Sequence, residues 1–243
     1  MSHERGPSDI AEDLQRCLQS HDREGAVRLL LDAVAGGIAI EDLYARVVEP
    51  FLESVGRGWQ EGHTAVWEEH LIVAAVRTAI EALYPRVLER KTAIDPLPVT
   101  VAFFCPPEET HDVGLRMLVD RFDLRGFRTV WVGAMTPVGQ MIECVRTVQA
   151  GLVCLSASTH YQRTALREVV RRLREELPEV RIVVGGPAFA LSDSGWEEYT
   201  VDSVDALLDE LVGQAGAGQP AAVTARPDEG RVHGRSEERP ADA

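Results

Sequence analysis

The sequence lacks the signatures by which many α/β proteins reveal their ligand. It has no G-x-G-x-x-G after a candidate strand and no G-K-[ST] of a phosphate-binding loop, so dinucleotide and nucleoside-triphosphate binding lose their main supports. Its four cysteines, Cys17, Cys105, Cys144 and Cys154, form no C-x-x-C pair and lie in segments patterned as packed helices and strands. They read as reduced core thiols rather than disulfides or zinc ligands. No apolar run approaches the ~18–20 residues of a membrane span, and the N-terminus MSHERGPSDI is polar, which points to a cytoplasmic protein without membrane association. Positive charge is scarce as well. With 25 Lys and Arg against 39 Asp and Glu the net charge is −14, which argues against direct binding of nucleic acid through its phosphates.

What is present divides at a seam. Residues 1–7 read as a disordered N-terminus, and every periodic stretch over residues 8–90 is helical. Ser8 with Asp9 is expected to cap a first helix carrying Ile10, Leu14, Cys17 and Leu18, and a second runs over Glu24–Ala35 to Gly36-Gly37. A third is expected over Ile40–Gly56 with a kink at Pro50, and a fourth over Thr64–Arg90. Short connections between them predict a four-helix bundle. Residues 91–97 read as a linker, and residues 98–213 as an α/β domain. Strands are predicted at Val99–Phe104, Thr129–Val132, Leu152–Leu155 and Val180–Val184, with a weaker fifth at Tyr199–Val201, alternating with helices at Asp112–Leu124, Pro137–Val148, Thr164–Leu177 and Ser203–Val212. That alternation predicts a flavodoxin-like, Rossmann-type sheet of five parallel strands. Residues 214–243 carry no apolar period and read as a disordered tail.

Open parallel sheets bind ligands beyond the carboxyl ends of their strands, where the strand order reverses. The loops so marked are Cys105–Gly114, Ser156–His160 and Gly185–Phe189. His111 stands out on the first of them. A lone loop histidine is usually solvated or a helix cap, but an imidazole that ligates a metal is commonly oriented by a carboxylate on its other nitrogen, and Glu109 or Asp112 stands ready for that task. Gly114 would let the backbone approach a bulky ligand.

Glu109-x-His111-x-x-Gly114, with Ser156 and Gly185-Gly186 downstream, resembles the cobalamin-binding domain of corrinoid proteins over about residues 98–212. The resemblance implies that His111 is the lower axial ligand of cobalt in place of the cofactor's own dimethylbenzimidazole, with Glu109 behind it. It implies that Ser156 bonds the inserted benzimidazole, and that Gly185, Gly186 and Gly133 make room for the nucleotide tail. The usual acid is Asp rather than Glu, and Ser158 replaces a usual leucine, making that wall of the tail pocket more polar.

The segment from Gly58 to His70 adds Trp59, Trp67, Glu68, Glu69 and His70 at the third and fourth helices. Taken alone, its tryptophans read as interhelical anchors and its acids as a first-turn cluster favoured by the helix dipole. Zinc ligation by His63, Glu69 and His70 matches no standard spacing. The Trp59-x9-Glu69-His70 arrangement resembles the bundle of B12-dependent photoreceptor regulators over about residues 8–90. It implies that Trp59 covers the upper face of adenosylcobalamin and that Glu69 and His70 line the adenosyl pocket. Methylcobalamin is the alternative form. That family begins with a winged helix-turn-helix, for which no room precedes the first helix here, and Gln60 stands where it has a histidine that takes cobalt after light, with His63 or His70 as substitutes. The expectation is a cobalamin-binding sensor without turnover of its own, signalling through a protein partner such as a transcription regulator, or by homo-oligomerisation. The rivals are a methyl-carrying corrinoid protein that serves a methyltransferase, and a scaffold that binds no cofactor.

Overall fold

A computed structural model describes residues 6–189 and 195–217. Helix α1 (Pro7–Gln19) starts at a proline, whose missing N–H costs nothing in a first turn. Ser8 is therefore inside the helix rather than its cap, and the Asp9 carboxylate accepts the Gly6 N–H at 3.0 Å. Helix α2 (Arg23–Ala35) is capped by Asp22, which accepts from the Gly25 N–H. The expected third helix is continuous but not regular. It comprises α3 (Ile40–Leu43), a π-helical turn (Tyr44–Val48) and α4 (Glu49–Gln60). Pro50 would press on the Arg46 carbonyl in a regular helix, and the widened turn falls just there. Helix α5 (Val66–Lys91) buries Ala75, Val76, Ala79, Ile80, Leu83 and Val87, spaced three and four apart, against the other helices.

The sheet consists of β1 (Thr100–Phe104), β2 (Arg128–Gly133), β3 (Leu152–Ser156) and β4 (Arg181–Gly185), all parallel in the order β2-β1-β3-β4. Successive residues of β1 face opposite sides. Val101 and Phe103 pack with α6 (Val113–Asp123) and α9 (Val204–Gly216), while Ala102 and Phe104 pack with α7 (Val138–Val148) and α8 (His160–Glu176). The expected class, a helical bundle before a flavodoxin-like parallel sheet, is the observed one, with four strands among the described residues instead of five. Tyr199–Val201 does not form the fifth. The Tyr199 and Thr200 N–H groups turn back to the Trp196 carbonyl, and the Tyr199 carbonyl accepts the Val184 N–H of β4 at 2.9 Å. Helix α9 runs to Gly216, past the Gln214 at which a tail was expected; residues 218–243 and 1–5 lie outside the described residues.

The two halves share a core. Val113, Met117 and Leu124, from the α6 region, are buried in the same cluster as the bundle residues. Polar contacts cross the same boundary: the Tyr44 hydroxyl donates to the buried Asp120 at 2.8 Å, Arg116, which also pairs with Asp120 within α6, reaches Glu81 of α5, and Lys91 pairs with Asp123. The bundle thus sits against α6, the helix that immediately follows the His111 loop.

Candidate functional site

Because β2 and β3 flank β1 on opposite sides, the strand order reverses beside β1, and the crevice predicted there is bordered by the Cys105–Gly114 and Ser156–His160 loops. At its centre the Glu109 side chain is fully buried while that of His111 is 55% exposed. Glu109 Oε1 lies 2.8 Å from His111 Nδ1 and accepts the His111 backbone N–H at 2.9 Å. Glu109 Oε2 accepts the Ser158 backbone N–H at 2.8 Å and its hydroxyl at 2.7 Å. Burial opposes the charge on Glu109, but the donors from His111 and Ser158 overcome it and hold the carboxyl down at about 2. The hydrogen bond to Glu109 in turn raises the His111 pKa, against the opposing effect of burial, and the Glu69 charge contributes in the same direction.

A carboxylate is an acceptor only, so Nδ1 carries the proton toward Glu109. When the ring is neutral Nε2 carries the lone pair, and no partner occupies it among the described residues. Of the two carboxylates the sequence offered for orienting the ring, the structure selects Glu109; Asp112 is engaged by Arg77 of α5. Ser158, expected in the wall of a tail pocket, anchors Glu109 through its hydroxyl and backbone N–H, two residues beyond the end of β3.

The glycines divide by what surrounds them. Ser156 and Gly185 are partners in the β3–β4 register. A Cβ on Gly185 or Gly114 would meet open space, whereas at Gly186, with φ +99°, it would stand 2.5 Å from the Ala157 carbonyl oxygen and 2.7 Å from Ser156 Oγ. Gly133, at φ +89°, closes β2 with its carbonyl accepting the Cys105 N–H at 2.9 Å. The Ser156 hydroxyl has no hydrogen-bond partner among the described residues, and it lies against Gly186. An oriented imidazole with a free nitrogen, an unused hydroxyl and a glycine open to added volume fit a large metal-bearing ligand with an inserted tail.

In the helical half, Trp59 lies in the last turn of α4 and is 47% exposed, Glu69 is largely covered, and His70 is 72% exposed with its Nε2 3.5 Å from Glu69 Oε2. The Glu69 charge acts on His111 in the direction that favours the protonated ring. Trp59 and His70 make no hydrogen bond or ring contact with the α/β half among the described residues. Trp67, itself exposed, packs on His21 of the α1–α2 connection, with ring centroids 5.2 Å apart. Sequence reasoning missed Arg77, which nothing distinguishes from other helix-surface arginines until its partner is seen.

Two family models, each described as a B12 binding domain, match residues 99–210 and residues 10–84. The chain belongs to the B12-binding domain proteins. It is 26% identical over 181 residues to the HTH-type transcriptional repressor CarH of Myxococcus xanthus, a match covering 73% of this chain and 57% of the repressor. It is 22% identical over 182 residues to trimethylamine corrinoid protein 1 of Methanosarcina acetivorans, covering 73% of this chain and 83% of that one. Its fold is that of the monomethylamine corrinoid protein of Methanosarcina barkeri, with a TM-score of 0.72 at 20% identity over 86% of this chain and 99% of that chain. Both matched regions are thus described as binding domains. No helix among the described residues is long and apolar enough to cross a membrane.

Proposed function

We propose that the chain is a cobalamin-binding sensory protein that passes the state of its cofactor to a protein partner. The observation that carries this reading is the division of labour on His111: Nδ1 is engaged by the buried Glu109, and Nε2, without a partner among the described residues on a half-exposed ring, would ligate cobalt. Ser156, Gly185 and Gly186 would hold the nucleotide tail, with Gly114 and Gly133 allowing the backbone to approach. Trp59, Glu69 and His70 would line the upper face, adenosylcobalamin being the form favoured by that set. Bound cobalamin would supply a cobalt–carbon bond that light or ligand exchange can break. The chain's own part is to bias two arrangements, because what Trp59 and Glu69 pack against depends on the upper group. A net charge of −14 suits an output through a protein, such as a transcription regulator, or through self-association.

A second reading, a methyl-carrying corrinoid protein that serves a methyltransferase, is favoured by one specific observation: the similarity spans 83% of the trimethylamine corrinoid protein but 57% of the repressor. Protein loaded with adenosylcobalamin in the dark and recorded before and after green light separates the two. A photolysable bound chromophore supports the sensor, methyl transfer from bound methylcobalamin to a methyltransferase supports the carrier, and the absence of any bound visible chromophore contradicts both.

A further inference from the structure

The loop that carries His111 is held from several sides. Within the α/β half, the Met135 N–H donates to the Glu109 carbonyl at 3.2 Å, Ser158 donates to the Glu109 carboxylate, and Gln162 Nε2 donates to the Glu108 carbonyl at 3.3 Å. Glu108 and Met135 hold φ values of +68° and +57° without being glycines, conformations that persist where the surroundings over-determine them.

A further restraint comes from the helical half. Arg77 of α5 bonds Asp112, the residue directly after His111. Asp112 is the N-cap of α6, yet its carboxylate accepts no bond from the first turn of that helix, the usual task of an aspartate there. The residue is 8% exposed and its charge is answered by Arg77 instead. Other ion pairs between the halves, Arg116 with Glu81, Lys91 with Asp123 and Arg121 with Glu49, involve the body and end of α6. Among the described residues, Arg77–Asp112 is the ion pair that joins the bundle to the residue next to His111.

We propose that Arg77 is a positioning residue for His111: through Asp112 it ties the seating of the bundle to the placement of the imidazole, so cobalamin is held best when both halves are engaged. This rests on the reading of His111 as the cobalt ligand. The bundle then contributes to ligation from below as well as to cover from above, and a partner that shifts the bundle alters the hold on cobalt.

Full-length wild type, Arg77→Met, Arg77→Lys, Arg77→Met with Asp112→Asn, and Lys91→Met are titrated with hydroxocobalamin, then reduced to the Co(II) form for electron paramagnetic resonance. Lys91→Met removes a bridge from the same helix to the far end of α6 and reports a general loss of stability between the halves. Arg77→Met is expected to weaken uptake about tenfold, at the lower end of the range for residues that support a metal ligand, and to reduce the share of cobalt carrying a histidine nitrogen. Arg77→Lys should restore part of both, the double variant should be no worse than Arg77→Met, and Lys91→Met should lower Tm while leaving both cobalt readouts in place. Wild-type uptake and histidine signal in Arg77→Met, or an equal loss in Lys91→Met, overturns the role of Arg77 alone. A wild-type protein whose cobalt carries no histidine nitrogen overturns the ligand reading and this inference with it.

Discussion

His111 Nδ1 and Glu109 Oε1 are 2.8 Å apart, with the carboxylate fully buried and the imidazole half exposed. The buried partner fixes the tautomer, and the exposed one presents its remaining nitrogen to the crevice. Glu109→Gln removes the pure acceptor that sets this tautomer. The account expects cobalamin affinity to fall about 10- to 100-fold, read by equilibrium titration, with the apo fold retained by circular dichroism.

Ser158 supports the same carboxylate through its backbone N–H and its hydroxyl. Ser158→Ala removes only the hydroxyl. A loss of about 1–2 kcal/mol in apo stability is expected from one bond to a charged acceptor, measured by urea unfolding, with a smaller loss of cobalamin affinity than in Glu109→Gln.

Gly185 and Gly186 are neighbours with opposite expected behaviour. Gly186→Ala forces a Cβ into the Ala157 carbonyl at a φ of +99°, so the apo protein should lose about 1–3 kcal/mol and several degrees of Tm. Gly185→Ala meets open space, so apo Tm should stay near wild type while cobalamin uptake falls, since the added methyl occupies room assigned to the tail. Equal effects of the two on apo Tm would remove Gly185 from the proposed pocket.

The Tyr44 hydroxyl donates to Asp120 across the boundary between the halves, from within the π-helical turn. Tyr44→Phe leaves a buried carboxylate with one donor fewer. It should cost about 1–3 kcal/mol in thermal or urea unfolding while leaving the cobalt ligation of the loaded protein unchanged.

Much of this site was legible in the sequence because its parts are local. Glu109 and His111 sit two residues apart on one loop, and the parallel α/β alternation places that loop where the strand order reverses. Tertiary choices were not legible. Asp112 and Glu109 were equal candidates for orienting the ring until Arg77, 35 positions earlier, claimed Asp112. Ser158 was read as pocket wall because spacing does not reveal which way a side chain turns beyond a strand end. Tyr199–Val201 had the composition of a strand, but the Tyr199 and Thr200 N–H groups are spent on the Trp196 turn. Pro50 announced an irregular third helix without saying that a π-helical turn would absorb it.

The central claim is that His111 supplies the lower ligand of a bound cobalamin. It is tested most directly by electron paramagnetic resonance of the Co(II) form in protein carrying ¹⁵N-histidine. A histidine ligand predicts that each triplet of the axial nitrogen splitting becomes a doublet on labelling, and that His111→Ala abolishes the doublet. A triplet unchanged by labelling, which assigns the axial nitrogen to the cofactor's own benzimidazole, would contradict the account.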